Sequence, residues 1–169
     1  MSDTRWSRQM ASITHSVYNC QLHESVDLVF VANHSRDVVY TRQPFHRLRW
    51  KDRRIGGTCL LYSNGKMIQH GTKRQLRRYL RLLQKMGLDI CFSKIRLVTQ
   101  TAVAYMSNVN YDALHANVNA SYEPELFHAC QLRRYGMHFT IFKTGKVVIT
   151  GVKSVQAADA ALVEIAWLQ

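Results

Sequence analysis

The sequence predicts an α+β fold built twice from one unit, with helices over one side of an antiparallel sheet. Two observations predict it. The first is a repeat: Leu61 to Lys73, LYSNGKMIQHGTK, returns eighty residues later as Ile141 to Lys153, IFKTGKVVITGVK. Gly65, Lys66, Gly71 and Lys73 match Gly145, Lys146, Gly151 and Lys153, and self-similarity at a fixed offset marks one structural unit used twice. The second is the order of periodicities, which reads β-α-β-β-β-β-α in each half. Two such units give about eight to ten strands and four helices, with two long helices on one face and the other face uncovered.

Each repeated stretch reads as a β-hairpin. Asn64-Gly65 signals a tight turn with positive φ, and Thr144-Gly145 is a weaker form of the same signal. Alternation puts Leu60, Tyr62, Ile68 and His70 on one face, and Cys59, Leu61, Met67 and Gln69 on the other. In the second copy the sets are Thr140, Phe142, Val148 and Thr150 against Phe139, Ile141, Val147 and Ile149. A sheet with one bare side should show polar residues there, yet both sides are mostly apolar. With too few helices to cover both, the bare side calls for a flat, partly apolar partner.

The elements follow in order. Residues 1–11 read as a short mobile arm. Ile13 to Leu22 alternates as a strand, with Ile13, His15, Val17 and Asn19 opposed to Thr14, Ser16, Tyr18 and Cys20. Leu28, Val31, Ala32 and Ser35 fall at helical spacing, with Ser25 the candidate N-cap and an end near Arg36. Val38 to Trp50 is extended around Pro44, and KDRRIGG at 51–57 is a basic turn. After the hairpin, Arg74 to Met86 is a helix with Leu76, Tyr79, Leu80, Leu83 and Met86 on one stripe. Arg74, Arg77, Arg78, Arg81 and Lys85 form the opposite stripe, and Gly87 stops the helix. That basic stripe is either a solvated face or a docking surface for an acidic protein or upstream DNA. The second pass gives a strand over Lys94 to Tyr105, a short helix over Tyr111 to Val118, and ASYEPELF leading into a strand that ends at Arg133-Arg134. A turn at Gly136, the second hairpin and a helix from Ser154 to Trp167 follow, with Val155, Ala158, Ala161, Leu162 and Ile165 inward. The domain reading is an arm at 1–11, a first repeat at 12–91 and a second at 92–169.

Composition narrows the function. The chain has 169 residues, 47% hydrophobic, enough for a sizeable core, and a formal net charge of +12. Such a balance favours an anionic partner, nucleic acid first. The charge is uneven: residues 1–91 hold sixteen Lys/Arg against six Asp/Glu, and residues 92–169 hold seven against five. Cys20, Cys59, Cys91 and Cys130 are widely spaced with no CxxC, so they read as core residues of a reducing compartment. No metal-ligand spacing, secretion signal or spanning apolar run occurs in the sequence. Glu123 and Glu125 flank Pro124, but nothing desolvates them to split their pKa values, and no GxSxG, HExxH or Gly-rich phosphate loop is present. The expectation is a non-enzyme without cofactor or metal.

Four aromatics stand at equivalent places: Phe45 and Tyr62 seventeen apart, Phe127 and Phe142 fifteen apart. On a bare sheet face they could be wedges that lever base pairs apart from the minor groove, or they could be core rings. Lys66, Lys73, Lys146 and Lys153 follow the turns in pairs and suit phosphates beside that face. Gly71 and Gly151 mark a bend between strand and helix.

SYEPELF at 121–127 with TGKVVITGVK at 144–153, and SNGKM at 63–67 with QKMG at 84–87, resemble the core of the TATA-box-binding protein family from about Ile13 to Ile165. The resemblance implies a two-fold pseudo-symmetric saddle: a curved ten-stranded antiparallel sheet with four helices on its convex face and double-stranded DNA in its concave face. It implies intercalation by Phe45, Tyr62, Phe127 and Phe142, groove contacts from Val17, Leu60, Ile68 and Val148, and phosphate contacts from Lys66, Lys73, Lys146 and Lys153. It places a transcription factor IIB surface at Glu123, Glu125 and Leu126, and the approach of transcription factor IIA at Arg74, Arg77, Arg78 and Arg81. It also implies RNA polymerase machinery as partner, and the nucleus as location.

The chain departs from the family at the groove centre. Where the family has two asparagines and two threonines, this sequence has His15, Leu97, His70 and Thr150, so one is kept. Thr140 stands for an apolar residue and Tyr62 for a phenylalanine. A lost base-edge bond costs roughly 1–3 kcal/mol and relaxes preference at that base. The expectation is therefore a divergent related factor that binds and bends promoter DNA and nucleates a preinitiation complex. The alternative is an interaction module of the same fold that binds initiation factors IIA and IIB without TATA-specific DNA binding.

Overall fold

The computed structural model describes residues 8–107, 109–116 and 120–167. The fold is α+β, with ten strands ordered β2-β3-β4-β5-β1-β6-β10-β9-β8-β7 and four helices among the described residues. The chain divides into two compact units, Ser16–Val98 and residues 1–15 with 99–169. The long strand β1 (Arg8–Gln21) thus gives its beginning to one unit and its end to the other.

In the Ser16–Val98 unit, α1 (Leu28–Asn33) follows β1, then β2 (Val38–Thr41), β3 (Arg47–Trp50), β4 (Thr58–Tyr62), β5 (Lys66–His70) and α2 (Lys73–Lys85). Its registers set Leu48 against Leu61, Trp50 against Cys59 and Leu61 against Met67. These residues are buried in one core with Leu76, Tyr79, Leu80 and Leu83 of α2 and Leu28 and Val31 of α1. Both helices therefore cover the same side of the strands. Helix α2 starts at a capping box, in which the Gln75 N–H donates to the Thr72 hydroxyl while the Gln75 side chain accepts from the Thr72 N–H. Helix α1 is shorter than its periodicity suggested. Asp27, not Ser25, is its N-cap, accepting from the N–H groups of Val29 and Phe30 at 2.9 and 3.0 Å, and the helix ends at His34. The stretch read as extended from Val38 to Trp50 is two antiparallel strands joined through Pro44.

The other unit holds β6 (Arg96–Met106) from Thr99 on, α3 (Tyr111–His115), β7 (Ala120–Ser121), β8 (Ala129–Arg134), β9 (Met137–Phe142), β10 (Lys146–Val152) and α4 (Val155–Trp167). Phe139, Ile141, Val147 and Ile149 are buried with Leu114 of α3 and Ala158, Ala161, Leu162 and Ile165 of α4. Val155, expected inward, is only half-buried. Helix α3 ends at His115; the remainder of the helix expected to Val118 lies partly outside the described residues.

Both repeated hairpins turn through three residues rather than two. The Gly65 N–H donates to the Tyr62 carbonyl at 3.0 Å and the Gly145 N–H to the Phe142 carbonyl at 2.8 Å. Only the glycine has positive φ, 78° and 81°, so Asn64 does not take the left-handed place that an Asn-Gly turn would give it. A Cβ on Gly65 would stand 2.6 Å from the Glu24 carbonyl oxygen, and one on Gly145 would collide with that of Met106. The β8–β9 turn is the two-residue one: Tyr135 and Gly136 both have positive φ, 52° and 71°.

Strand β1 starts at Arg8, inside the segment read as an arm; residues 1–7 lie outside the described residues. The Ala11 N–H donates to the buried Asp159 carboxylate at 2.8 Å, which ties this end of the strand to α4. Its alternation is not continuous. Ala11 and Ile13 pack into the core of the second-repeat unit, whereas Tyr18, Cys20 and Leu22 pack into that of Ser16–Val98. Odd positions face helices at one end and even positions at the other, so the two alternating sets read over 13–20 do not each keep one face. Strand β6 does the same: Ile95, just before it, packs with Ser16–Val98, and Ala102, Ala104 and Met106 with the other unit. In both strands the inward set changes parity between the two cores.

Candidate nucleic-acid interface

In the Ser16–Val98 unit the side of the sheet away from the helices is built by register. Tyr62 opposes Arg47, Leu60 opposes Arg49 and Ile68, His70 opposes Val17 and Thr58, and Ile68 opposes Asn19. Side chains directly across a ladder share a face, so Val17, Asn19, Arg47, Arg49, Thr58, Leu60, Tyr62, Ile68 and His70 form one surface. The alternate residues Leu48, Trp50, Cys59, Leu61, Met67 and Gln69 are buried. The bare set is half-buried or exposed. Lys66 opens β5 on this same face and is exposed; Lys73 is exposed at the first turn of α2. Phe45, in the turn before β3, is 62% exposed, and Tyr62 is half-buried.

The second-repeat unit builds its bare face the same way. Thr150 opposes Thr101 and His138, Val148 opposes Val103 and Thr140, Lys146 opposes Tyr105, and Phe142 opposes Ala129. Phe127 is 38% exposed, and its ring meets that of Phe142 edge-on with centroids 6.3 Å apart. Phe142 also lies 5.6 Å from the His128 ring. Lys146 and Lys153 are exposed. The ladder shifts register between Thr150 and Val152, where Gly151 has φ of 79°. That is the expected bend, and it turns β10 toward α4.

At the margins of the bare strands Phe45 and Phe127 are exposed and Tyr62 and Phe142 half-buried. Among the central groups, the registers pair His70 with Val17 and Thr150 with Thr101. Counting two residues back along each strand makes Thr99 the repeat counterpart of His15, and makes Ile13 that of Leu97. His15 and Leu97 are both exposed, but they are not equivalent positions of the repeat.

Away from the sheet face, SYEPELF forms an exposed turn. The N–H groups of Leu126 and Phe127 donate to the Glu123 carbonyl at 3.0 and 2.8 Å. Glu123 and Glu125 are exposed and Leu126 is 81% exposed. Tyr122 anchors the turn beside Tyr111, centroids 4.9 Å apart, and the Tyr111 hydroxyl donates to the Ile141 carbonyl at 2.7 Å. On α2, Arg74, Arg77, Arg78, Arg81 and Lys85 are all exposed. Arg78, Arg81 and Lys85 line a shallow hollow of about 360 Å³ with Asp52 and Arg54. Arg54 is held by Asp52 at 2.8 Å, and this hydrogen bond is the main reason the buried Asp52 carboxyl sits below its ordinary pKa.

Several residues of the bare faces escaped the sequence reading: Asn19, Arg47, Arg49, Thr101, Val103, Tyr105 and Gln131. Alternation within each strand held their signal, but only the registers say which set faces away from helices. Cys91 is exposed, whereas Cys20, Cys59 and Cys130 are buried as expected; burial pushes the Cys20 thiol up to about 11. Among the described residues no group of three or more His, Cys, Asp or Glu could hold a metal ion.

The family model described as "Transcription factor TFIID (or TATA-binding protein, TBP)" matches residues 10–86 and 95–168. The TATA-box-binding protein of Strongylocentrotus purpuratus is 32% identical over 157 residues, covering 86% of this chain and 58% of its own length. That of Tetrahymena thermophila is 27% identical over 163 residues, covering 90% and 66%. The chain thus spans about half to two-thirds of the length of such relatives. Among solved structures, the Methanococcus jannaschii TBP superposes with a TM-score of 0.80 at 26% identity, covering 95% of this chain and 98% of that one. A doubled unit, two family matches that follow the doubling and a shared fold lead to one conclusion: the chain belongs to the TATA-binding protein family.

Proposed function

We propose that this protein is a transcription initiation factor that seats the minor groove of promoter DNA on its bare sheet faces, bends the duplex and nucleates a preinitiation complex in the nucleus. The observation that carries this reading is the pairing, in each unit, of a helix-free apolar face with accessible aromatic rings and exposed lysines. An apolar face left half-exposed beside cations suits a partner that is apolar in its groove and anionic at its rims. Phe45, Tyr62, Phe127 and Phe142 act as wedges, a mode for which this family is itself a standing example. Val17, Leu60, Ile68 and Val148 line the groove with His70, Thr150, His15 and Leu97, and Lys66, Lys73, Lys146 and Lys153 meet phosphates. Bending costs on the order of 1–6 kcal/mol by smooth elastic estimates, offset by contact area and released counterions. With His70 in one repeat where Thr150 stands in the other, preference for TATA over other A·T-rich sequence is relaxed.

A second reading is supported by Leu126, which stands 81% exposed directly after Glu125, independently of the sheet face. In it the chain is a module that engages transcription factors IIA and IIB, through Arg74, Arg77, Arg78 and Arg81 and through Glu123, Glu125 and Leu126, without gripping DNA. Mobility shifts on A·T-rich and G·C-rich duplexes at low salt separate the two. Binding to either duplex with a gel retardation typical of bent DNA supports the first. Absence of binding to both, with a IIB complex that Glu125→Arg abolishes, supports the second.

A further inference from the structure

The bare face of the Ser16–Val98 unit carries two cations that its repeat does not. Arg47 and Arg49 stand opposite Tyr62 and Leu60, while their strand neighbours Leu48 and Trp50 are buried beneath α2. Arg49 is exposed and Arg47 half-buried. Among the described residues the ion pairs of carboxylates are Arg54–Asp52 and Arg134–Glu164, so neither guanidinium is neutralised by an acid. The neighbouring face residues Val39, Thr41, Leu60 and Tyr62 offer none. In the other unit, the register that sets Ala129 against Phe142 and Gln131 against Thr140 makes Ala129 and Gln131 the counterparts. At these two positions the charge stands in one copy only; the exposed cation of β8 on the other bare face is Arg133, opposite His138.

We propose that Arg47 and Arg49 grip the sugar–phosphate backbone of duplex DNA, giving the bare face of the Ser16–Val98 unit two cationic contacts at positions where the other unit has Ala129 and Gln131. This rests on the DNA-binding reading above. Within that unit the strand order is β2-β3-β4-β5-β1, so β3 lies on the far side of β4 from β5 and β1. A groove centred over β5 and β1 brings its phosphate rim, not its floor, over β3. Two residues apart on a strand, the arginines are spaced about 6.7 Å at the backbone. Guanidinium groups in such a row match successive anionic phosphodiesters.

The test is fluorescence anisotropy of labelled A·T-rich and G·C-rich duplexes over a salt series. The proteins are wild type, Arg47→Ala/Arg49→Ala, Arg47→Lys/Arg49→Lys and, as a neutral variant of similar reach, Arg47→Gln/Arg49→Gln. Each phosphate contact contributes roughly 0.9 to the slope of log affinity against log salt. The Ala and Gln pairs are expected to lower the slope by about 1.8 and to weaken both duplexes alike, while the Lys pair keeps most of it. An unchanged slope in folded Ala and Gln variants, with wild type still binding, overturns this inference and leaves the DNA-binding reading standing. Loss of A·T preference at constant slope also overturns it, since the arginines then read base edges. A wild type that binds neither duplex removes both.

Discussion

Removing the Phe45 ring separates a wedge from a core residue. A fully buried phenylalanine gains about 1.5–3 kcal/mol from leaving water, and truncating one in a core costs about 3–5 kcal/mol once the cavity is included. Phe45 is 62% exposed, so little more than a third of the transfer term is at stake and no closed cavity is left. Phe45→Ala should therefore cost about 0.5–1 kcal/mol. Phe127, at 38% exposed and in edge contact with Phe142, should lose about 1–2.5 kcal/mol. Phe139, fully buried two residues before Ile141, is the internal control and should lose about 3–5 kcal/mol on Phe139→Ala. In a chain of this size 1 kcal/mol moves the melting midpoint by about 2–4 °C. Phe45→Ala should melt within about 4 °C of wild type, and Phe139→Ala more than about 6 °C lower. Urea titrations and thermal melts read the stability, and anisotropy on an A·T-rich duplex reads binding. The wedge reasoning requires Phe45→Ala to weaken DNA binding by at least tenfold at near-native stability. A loss of stability matching that of Phe139→Ala, or a stable variant with unaltered binding, refutes it.

Other perturbations test the packing that presents these faces. Gly145→Ala should cost well over about 1 kcal/mol, because positive φ is combined with a collision at the Met106 carbonyl, whereas Gly136→Ala meets nothing within 4 Å and should cost only the φ penalty of about 1 kcal/mol; urea midpoints compare them. Burial raises the Tyr79 and Tyr111 hydroxyls to about 12 from 10. A pKa raised by folding gives stability that is intact below the unfolded value and is lost as pH climbs through the folded one. Wild type should thus weaken between pH 10 and 12, and Tyr79→Phe/Tyr111→Phe should flatten that fall in urea midpoints measured against pH. Asp52 is the opposite case: its pKa is lowered chiefly by the Arg54 hydrogen bond, so its contribution is present above the unfolded carboxylate pKa and lost as pH falls through the folded one. Arg54→Ala should shrink the acid-side loss of stability in the same titration.

The doubled architecture was legible because its signals are local. A hairpin repeated at a fixed offset and two amphipathic helices closed by glycine or chain direction survive any tertiary arrangement. The capping of α1 was misplaced because Ser25 and Asp27 are both competent caps, and the choice falls to whichever side chain reaches two free N–H groups, here Asp27. The Asn-Gly and Thr-Gly signals placed the hairpin turns, but Ser63 and Lys143 make each turn three residues long, and only the glycine turns left-handed.

The harder miss lies in β1 and β6, and it bears on which residues can meet DNA at the groove centre. Alternation assumes a strand with one inside. These strands have two, so Ala11 and Cys20 are both buried although they differ in parity. Somewhere between Ile13 and Tyr18 the inward set becomes the outward one, and the same happens between Ile95 and Ala102. A residue's face cannot be inferred across such a shift by counting. It can be inferred from its cross-strand partner, because Val17 is fixed by His70 and Thr101 by Thr150. For the same reason the run FHRLRW at 45–50 did not say which way Arg47 and Arg49 face until β4 supplied their partners. Faces set by pairing, not by periodicity, decide what this sheet can bind.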